Sequence, residues 1–189
     1  MTSDLGLAKA EILAGYSACL VKDGFIVARD KGSRLKPVLS ILERQITRYG
    51  GLERLHMSVG TESSTHSRSG PETGSRARAD AIATPRSGAG SLKAAGHYAF
   101  ADKVVGLAAF RLAYLLGARV MWGELTSSLA VAEARKRGVT LEYDRLVPAI
   151  MNMSQDDLCP MERMASQAAG DLQFYRQIME GSGKRDTHA

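Results

Sequence analysis

Asp102 and Lys103 are the leading candidates for a functional site. They lie at the start of an apolar segment that is predicted to be a helix over 102–116. The free N–H groups and partial positive charge of a helix N-terminus attract anions. Lys103 can contact a phosphate there, or act as an acid or nucleophile if it is desolvated. The structural alternative is that Asp102 only caps the helix and Lys103 is a solvated residue of its first turn.

Cys159 is the second candidate for catalysis. Pro160 favours the first position of a helix, so the sulfur is predicted to lie just before a helix N-terminus, where a thiolate is favoured. Cysteine catalysis normally requires a nearby base such as histidine. The histidines of this chain lie at or inside a Ser/Gly-rich segment, or in the tail. A packed, inert cysteine is therefore the alternative.

Three further polar residues are predicted to bind a ligand, and each has a structural alternative. Ser127 at the start of the next predicted helix can bind phosphate or only cap that helix. Asn152 can hydrogen-bond a base or a sugar, or its own turn. Glu162 is the third residue of the helix that begins at Pro160, where it borders the same pocket or serves as a capping-box partner.

Hydrophobic periodicity, together with the residues that begin and end helices and strands, predicts the elements that position these residues. The Asp23-Gly24 pair predicts a tight hairpin, and the later strands alternate with helices, which predicts that they are parallel. The fold class is therefore α/β, with one mixed sheet that starts with a β-hairpin and is layered by helices. The predicted strands are 16–22, 25–29, 119–123 and 139–143, and the predicted helices are 4–14, 35–49, 102–116, 127–137, 160–169 and 171–179.

The chain has 189 residues, of which 44% are hydrophobic and 24% are charged. This composition is typical of a globular protein. No stretch approaches the roughly 18 consecutive apolar residues that a membrane span needs. Cys19 and Cys159 are too few for a disulfide framework or a four-thiolate zinc site. We expect a reduced, cytoplasmic protein without a membrane partner.

Residues 53–97 stand apart as a Ser/Gly-rich segment that cannot bury enough surface to offset its ordering entropy. We predict one discontinuous domain, 1–52 and 98–180, a flexible insertion at 53–97 and a disordered tail at 181–189. Much of the net charge of +5 falls in the insertion and the tail. No basic, aromatic-lined groove is apparent in the sequence, so nucleic acid is not an expected partner.

Three blocks carry a resemblance: FADKVVGLAAFRLAYLLGA, LVPAIMN and LCPMERMA. With the segment that follows the first helix, they resemble a small uncharacterised bacterial and archaeal domain family with a cytidine-deaminase-like fold and no established activity. The resemblance covers about residues 10–52 and 98–170. It implies a three-layer α/β/α sandwich, and the insertion is a departure from it.

The same resemblance allows a test for zinc chemistry. Zinc deaminases need His or Cys and then Glu two residues later at the central helix start, with a P-C-x-x-C pair elsewhere. Here the predicted helix opens Ala101-Asp102-Lys103, with alanine in the ligand position and lysine in the glutamate position. The next helix opens Thr126-Ser127-Ser128 and has no cysteine. We expect no zinc-dependent deaminase, and no metal or cofactor.

The leading functional hypothesis is a protein that binds a nucleotide or related anionic small molecule. Lys103 and Asp102 would hold the anion, and Cys159 and Asn152 would border the pocket. The alternative is a non-catalytic interaction or regulatory protein that acts through its surface or its insertion. A Cys159-dependent enzyme is a third hypothesis, and a homodimer is a further expectation from the apolar surplus.

Overall fold

The hairpin predicted at Asp23-Gly24 opens the central sheet. In the computed structural model, which describes residues 3–55 and 97–183, both turn residues have positive φ, 52° and 80°, as a two-residue hairpin requires. The Asp4 carboxylate accepts hydrogen bonds from their backbone N–H groups at 2.8 and 2.7 Å. The start of the first helix is thereby tied to the turn.

Five strands form one mixed sheet in the order β2-β1-β3-β4-β5. β1 is antiparallel to β2 and to β3, whereas β3, β4 and β5 are mutually parallel. β2 and β3 therefore run in the same direction. The strands are β1 (Ala18–Lys22), β2 (Phe25–Asp30), β3 (Tyr98–Val105), β4 (Ala118–Ser127) and β5 (Thr140–Val147).

Helices cover both faces of this sheet, which confirms the predicted three-layer α/β/α class. α1 packs on one face against a small cluster that includes Cys19 and Trp122, and the larger core lies on the other face. The helices are α1 (Asp4–Leu13), α2 (Lys36–Tyr49), α3 (Leu107–Leu115), α4 (Ser128–Lys136), α5 (Pro160–Gln167) and α6 (Asp171–Gly183), with a helical segment at 52–55.

The prediction of a helix over 102–116 is wrong in its first part. Residues 98–105 form β3, the central strand, and the helix begins at Leu107 after Gly106. A central strand that is covered on both faces is as continuously apolar as a buried helix, so the hydrophobic pattern alone cannot separate them. Asp102 and Lys103 consequently lie in a strand and not at a helix start.

A buried ionic network fixes α3 against the later helices. The Nη1 of Arg111, on α3, donates to the carbonyl of Ala168 at 3.0 Å, and its Nε lies 3.7 Å from Asp171 Oδ1. Asp171 also accepts from Arg137 Nη2 at 3.0 Å. The start of α6 and the end of α4 are thus joined to the middle of α3.

The predicted insertion at 53–97 lies outside the described residues, apart from residues 53–55 and 97. α6 continues through the beginning of the predicted tail to Gly183, and the remainder of that tail also lies outside them. In the described part of the chain, no helix is long and apolar enough to cross a membrane.

Candidate functional site

Three helices begin at the carboxyl edge of the parallel strands. α2, α3 and α4 follow β2, β3 and β4, which all run in the same direction. Open α/β sheets place their ligands at this edge, where strands end and helices start. The side chains around these three helix starts therefore define the candidate site.

Glu162 joins two of the helix starts. Its Oε1 accepts a hydrogen bond from Ser127 Oγ at 2.7 Å, and its Oε2 lies 3.5 Å from the backbone N of Ala108. Ser127 Oγ in turn accepts from the backbone N of Ala130 at 3.2 Å and so caps α4. A carboxylate supplied by α5 thus occupies the anion position at the start of α3 while it bonds the capping residue of α4.

Gly106 makes this arrangement sterically possible. A Cβ added at Gly106 would lie 2.4 Å from Glu162 Oε2 and 2.8 Å from Ile150 Cγ1. Both distances are shorter than any van der Waals contact. The glycine that precedes α3 therefore lets the carboxyl group approach the first backbone N–H groups of the helix.

The Glu162 side chain is only 1% exposed, and burial raises the pKa of its carboxyl group. The Ser127 hydroxyl and the backbone N–H groups of Ala108, Leu107 and Ile150 oppose that rise. The capping-box alternative is wrong, because the backbone N–H of Cys159 donates to the Ile150 carbonyl at 2.9 Å. Glu162 serves α3 and α4 and not the start of its own helix.

Asp102 is the second buried carboxyl group at this edge. It pairs with Ala18 of β1 and with Gly123 of β4, and it is 3% exposed. Its Oδ1 accepts from the backbone N of Val104 at 3.0 Å, whereas its Oδ2 has no hydrogen-bond partner among the described residues. Burial raises its pKa to about 8, against the N–H groups of Val104 and Lys103 and the Lys103 charge. The alternative in which Asp102 caps a helix is therefore wrong, as is its expected place at a helix start.

Lys103 follows Asp102 on the same strand, so its side chain points to the opposite face of the sheet. It is exposed, and its backbone N–H donates to the Ser17 carbonyl at 3.0 Å. The prediction that Lys103 lies in the first turn of a helix is wrong, because the helix begins four residues later. Lys103 remains a cation at the carboxyl edge.

Thr126 was missed by the sequence reasoning. It is fully buried on β4, and its Oγ1 has no hydrogen-bond partner in the described part of the chain. A Cβ added at Gly123 would lie 2.3 Å from this oxygen. The available signal was Gly123 itself, since a glycine inside a strand often marks a close approach of other groups.

Asn152 and Cys159 lie in the loop between β5 and α5. Asn152 Nδ2 donates to Asp156 Oδ1 at 2.7 Å, and Asn152 Oδ1 lies 3.3 Å from the backbone N of Asp156. Both ends of the amide group therefore serve their own turn, as in the structural alternative. Cys159 is partly buried at the N-cap of α5, and the one histidine in the described residues, His97, precedes β3 at the opposite edge.

A cationic rim follows the ends of β2 and β3 at the carboxyl edge. Ser17 Oγ donates to the Gly32 carbonyl at 2.7 Å, while the Ser17 carbonyl accepts from Lys103. These bonds hold the loop before α2 next to the end of β3. The rim consists of four exposed cations: Lys31, Arg34, Lys36 and Lys103.

Within residues 3–55 and 97–183, no three His, Cys, Asp or Glu side chains are grouped so that they could hold a metal ion. The actual start of α3 also changes the test for zinc ligands. Leu107, Ala108 and Ala109 now stand in the first turn, and none of them carries a ligand atom on its side chain.

Comparisons with known proteins find a domain family of unknown function and a solved structure with a similar fold. Residues 91–181 match the family model for TM1506, a domain of unknown function (DUF1893). The fold is similar to that of a crystal structure of a DUF1893 family protein (TM1506) from Thermotoga maritima, with a TM-score of 0.60 and 16% sequence identity. The alignment covers 96% of this chain and 92% of that one. No curated protein matches the chain.

The resemblance found in the sequence is therefore confirmed at a coarse level, as a match to a domain family of unknown function. At 16% identity the structural likeness shows the fold alone. The cytidine-deaminase-like fold stays a prediction.

Replacement of Gly106 by alanine tests the contact with Glu162. We expect Gly106→Ala to lower the free energy of unfolding by about 2–3 kcal/mol, because the added Cβ displaces the carboxyl group and Ile150. Gly170→Ala is the matched control, since its Cβ would meet nothing within 4 Å. Urea unfolding measures both variants, and equal losses at the two positions would contradict this description of the site.

The second prediction concerns the pH dependence of stability. Asp102 is favoured in its neutral form in the folded chain, with a pKa of about 8 against an ordinary value of 3.8. Its contribution to stability is therefore complete below pH 3.8 and declines as the pH rises to about 8. Asn at this position does not ionise, so the stability of Asp102→Asn relative to wild type should increase from pH 5 to pH 8.

Urea unfolding at each pH gives this difference. Asp157→Asn is the control, because the Arg163 hydrogen bond holds the pKa of Asp157 below its ordinary value. Asp157 is then ionised in both the folded and the unfolded chain over this range. The difference in unfolding free energy between Asp157→Asn and the wild type should therefore stay constant. A constant difference for Asp102→Asn as well would show that the Asp102 carboxyl is not held neutral.

Proposed function

We propose that this protein binds a small anionic molecule of the nucleotide type at the carboxyl edge of β3, beside the start of α2. The observation that carries the proposal is the cationic rim. In the part of the chain that is described, no ion pair joins these four side chains to a carboxylate. Their charge therefore remains available to an anion from solution.

The start of α2 adds to this attraction. Its N-cap residue, Leu35, makes no side-chain capping hydrogen bond, and Pro37 occupies the first turn. The starts of α3 and α4, by contrast, are served by Glu162 and Ser127. Free backbone N–H groups and the helix dipole favour an anion next to Lys36.

The sequence hypothesis gave Lys103 and Cys159 catalytic roles, and Asp102, Ser127, Asn152 and Glu162 roles in ligand binding. In this proposal Lys103 is an anion contact. Ser127 and Glu162 hold the helix starts, and Asn152 holds its own turn. Because no histidine lies near Cys159 in the described residues, no reaction is assigned to that thiol.

The choice of a nucleotide among anions rests on the sequence resemblance to cytidine-deaminase-like folds. Zinc deaminases act on cytosine or adenine bases. The phosphate of a nucleotide would bind the cations of the rim, and its base would lie near the buried carboxyl group of Asp102 at the end of β3.

Thermal unfolding with added ligand tests the proposal. The ligands are the monophosphates of adenosine, guanosine, cytidine and uridine, with inorganic phosphate for comparison. At least one nucleotide should stabilise the wild type in proportion to the logarithm of its concentration. Lys103→Ala should weaken that binding about tenfold without a change in the unfolding temperature of the ligand-free protein.

Lys136→Ala is the matched control, because Lys136 is an exposed lysine at the far end of α4. It should bind the nucleotide as the wild type does. If no nucleotide stabilises the wild type at millimolar concentration, or if both lysine variants lose affinity equally, the proposed site is wrong.

The second candidate function is that of a non-catalytic interaction or regulatory protein. The outer strand β5 favours it. In the sheet that the described residues form, β5 is paired on one side only, and both Tyr143 and Leu146 are exposed on it. An edge strand of this kind can pair with another chain, including a second copy of itself. The ligand titration separates the two candidates, because a protein of this class gains no stability from nucleotides.

A further inference from the structure

Two buried oxygen atoms at the carboxyl edge lack a hydrogen-bond partner among the described residues. They are Asp102 Oδ2 on β3 and Thr126 Oγ1 on β4. Asp102 is 3% exposed and Thr126 is 0% exposed, so protein covers both side chains. Buried polar groups are satisfied in the great majority of cases, and an exception at the ligand edge of an α/β sheet suggests a functional use.

The strand register places these two oxygens near the same residue pair. Asp102 pairs directly with Gly123 in the parallel ladder, so the two residues present the same face of the sheet. Thr126 Oγ1 lies 2.3 Å from the position that a Cβ of Gly123 would take. Both oxygens therefore lie over the same Asp102–Gly123 pair.

Gly123 is the residue that keeps this arrangement open. A larger residue there would displace the Thr126 hydroxyl and press on Val105 Cγ2, which lies 2.9 Å from the same position. Glycine weakens the interior of a strand because it packs no side chain. The close approach of the Thr126 hydroxyl therefore requires glycine at this interior position of β4.

We infer that Asp102 and Thr126 determine the specificity of the site. They bind the edge of a nucleobase on which a hydrogen-bond donor lies next to an acceptor. This inference rests on the proposed function, in which the rim binds the phosphate. A carboxyl group and a hydroxyl group can each donate and accept a hydrogen bond. Nucleobases present donors and acceptors side by side on their edges, which is the complementary pattern.

We assign access to this pair to a movement of the loop before α2, which Ser17 holds next to the end of β3. Both side chains are covered, so a base reaches them when a neighbouring segment moves. The loop before α2 contacts the loop before α5 through Arg34 and the sulfur of Met153. Both side chains are exposed, and separating them breaks no packing of the core.

The test compares each nucleoside monophosphate with ribose 5-phosphate, which has the phosphate and no base. In the wild type, the base should raise the affinity at least about tenfold. Thr126→Val keeps the shape of the side chain and removes the hydroxyl, so it should abolish this advantage and leave ribose 5-phosphate binding unchanged. Thr140→Val, on exposed β5, is the matched control and should keep the advantage.

Free nucleosides, which lack the phosphate, separate this inference from the proposed function. Stabilisation by nucleosides that Thr126→Val abolishes, with no gain from the phosphate, would support the base site and overturn the anion site. Equal binding of nucleotides and ribose 5-phosphate to the wild type would overturn the base site alone. A full base advantage in Thr126→Val would also overturn it, and stabilisation by none of these compounds would overturn both.

Discussion

The carboxyl group of Glu162 is the contact on which the carboxyl edge of this fold depends. It is buried, it accepts from the Ser127 hydroxyl, and it faces the first N–H groups of α3. A buried carboxyl group is tolerated only where hydrogen bonds replace its hydration. Here those bonds come from the starts of two crossover helices, so a single residue of α5 connects the start of α3 with the start of α4.

In the proposed function, this contact also leaves the start of α2 as the place for a ligand. Helix starts at the end of parallel strands are the usual anion sites of α/β proteins, and the chain fills two of the three with its own groups. The start of α2 retains no capping side chain among the described residues, and Lys31, Arg34 and Lys36 of the rim lie in its first turn or in the loop before it. The buried oxygens of Asp102 and Thr126 lie on the adjoining strands. A charged rim next to neutral polar groups is the arrangement that a small phosphate ester would need.

Most of the elements could be predicted from the sequence, because glycines and helix caps mark their ends. The Asp23-Gly24 turn, the Ser127 cap and Pro160 at the start of α5 are local signals, and each is found in the structure. β3 could not be predicted, since a strand buried on both faces has no alternation to reveal it. The site prediction was wrong for the same reason, because it placed Asp102 at a helix start and Asp102 lies in this strand. The bond between Ser127 and Glu162 joins residues 35 positions apart, and no local pattern could predict it.

A double-mutant cycle between Ser127 and Glu162 tests this account most directly. Ser127→Ala, Glu162→Gln and the double variant would be unfolded in urea beside the wild type. The cycle removes the separate loss of the α4 cap from the comparison. If the pair holds the two helix starts together, the coupling free energy should be about 1–3 kcal/mol. Losses that add to within about 0.5 kcal/mol would show that the two residues act independently and would contradict the account.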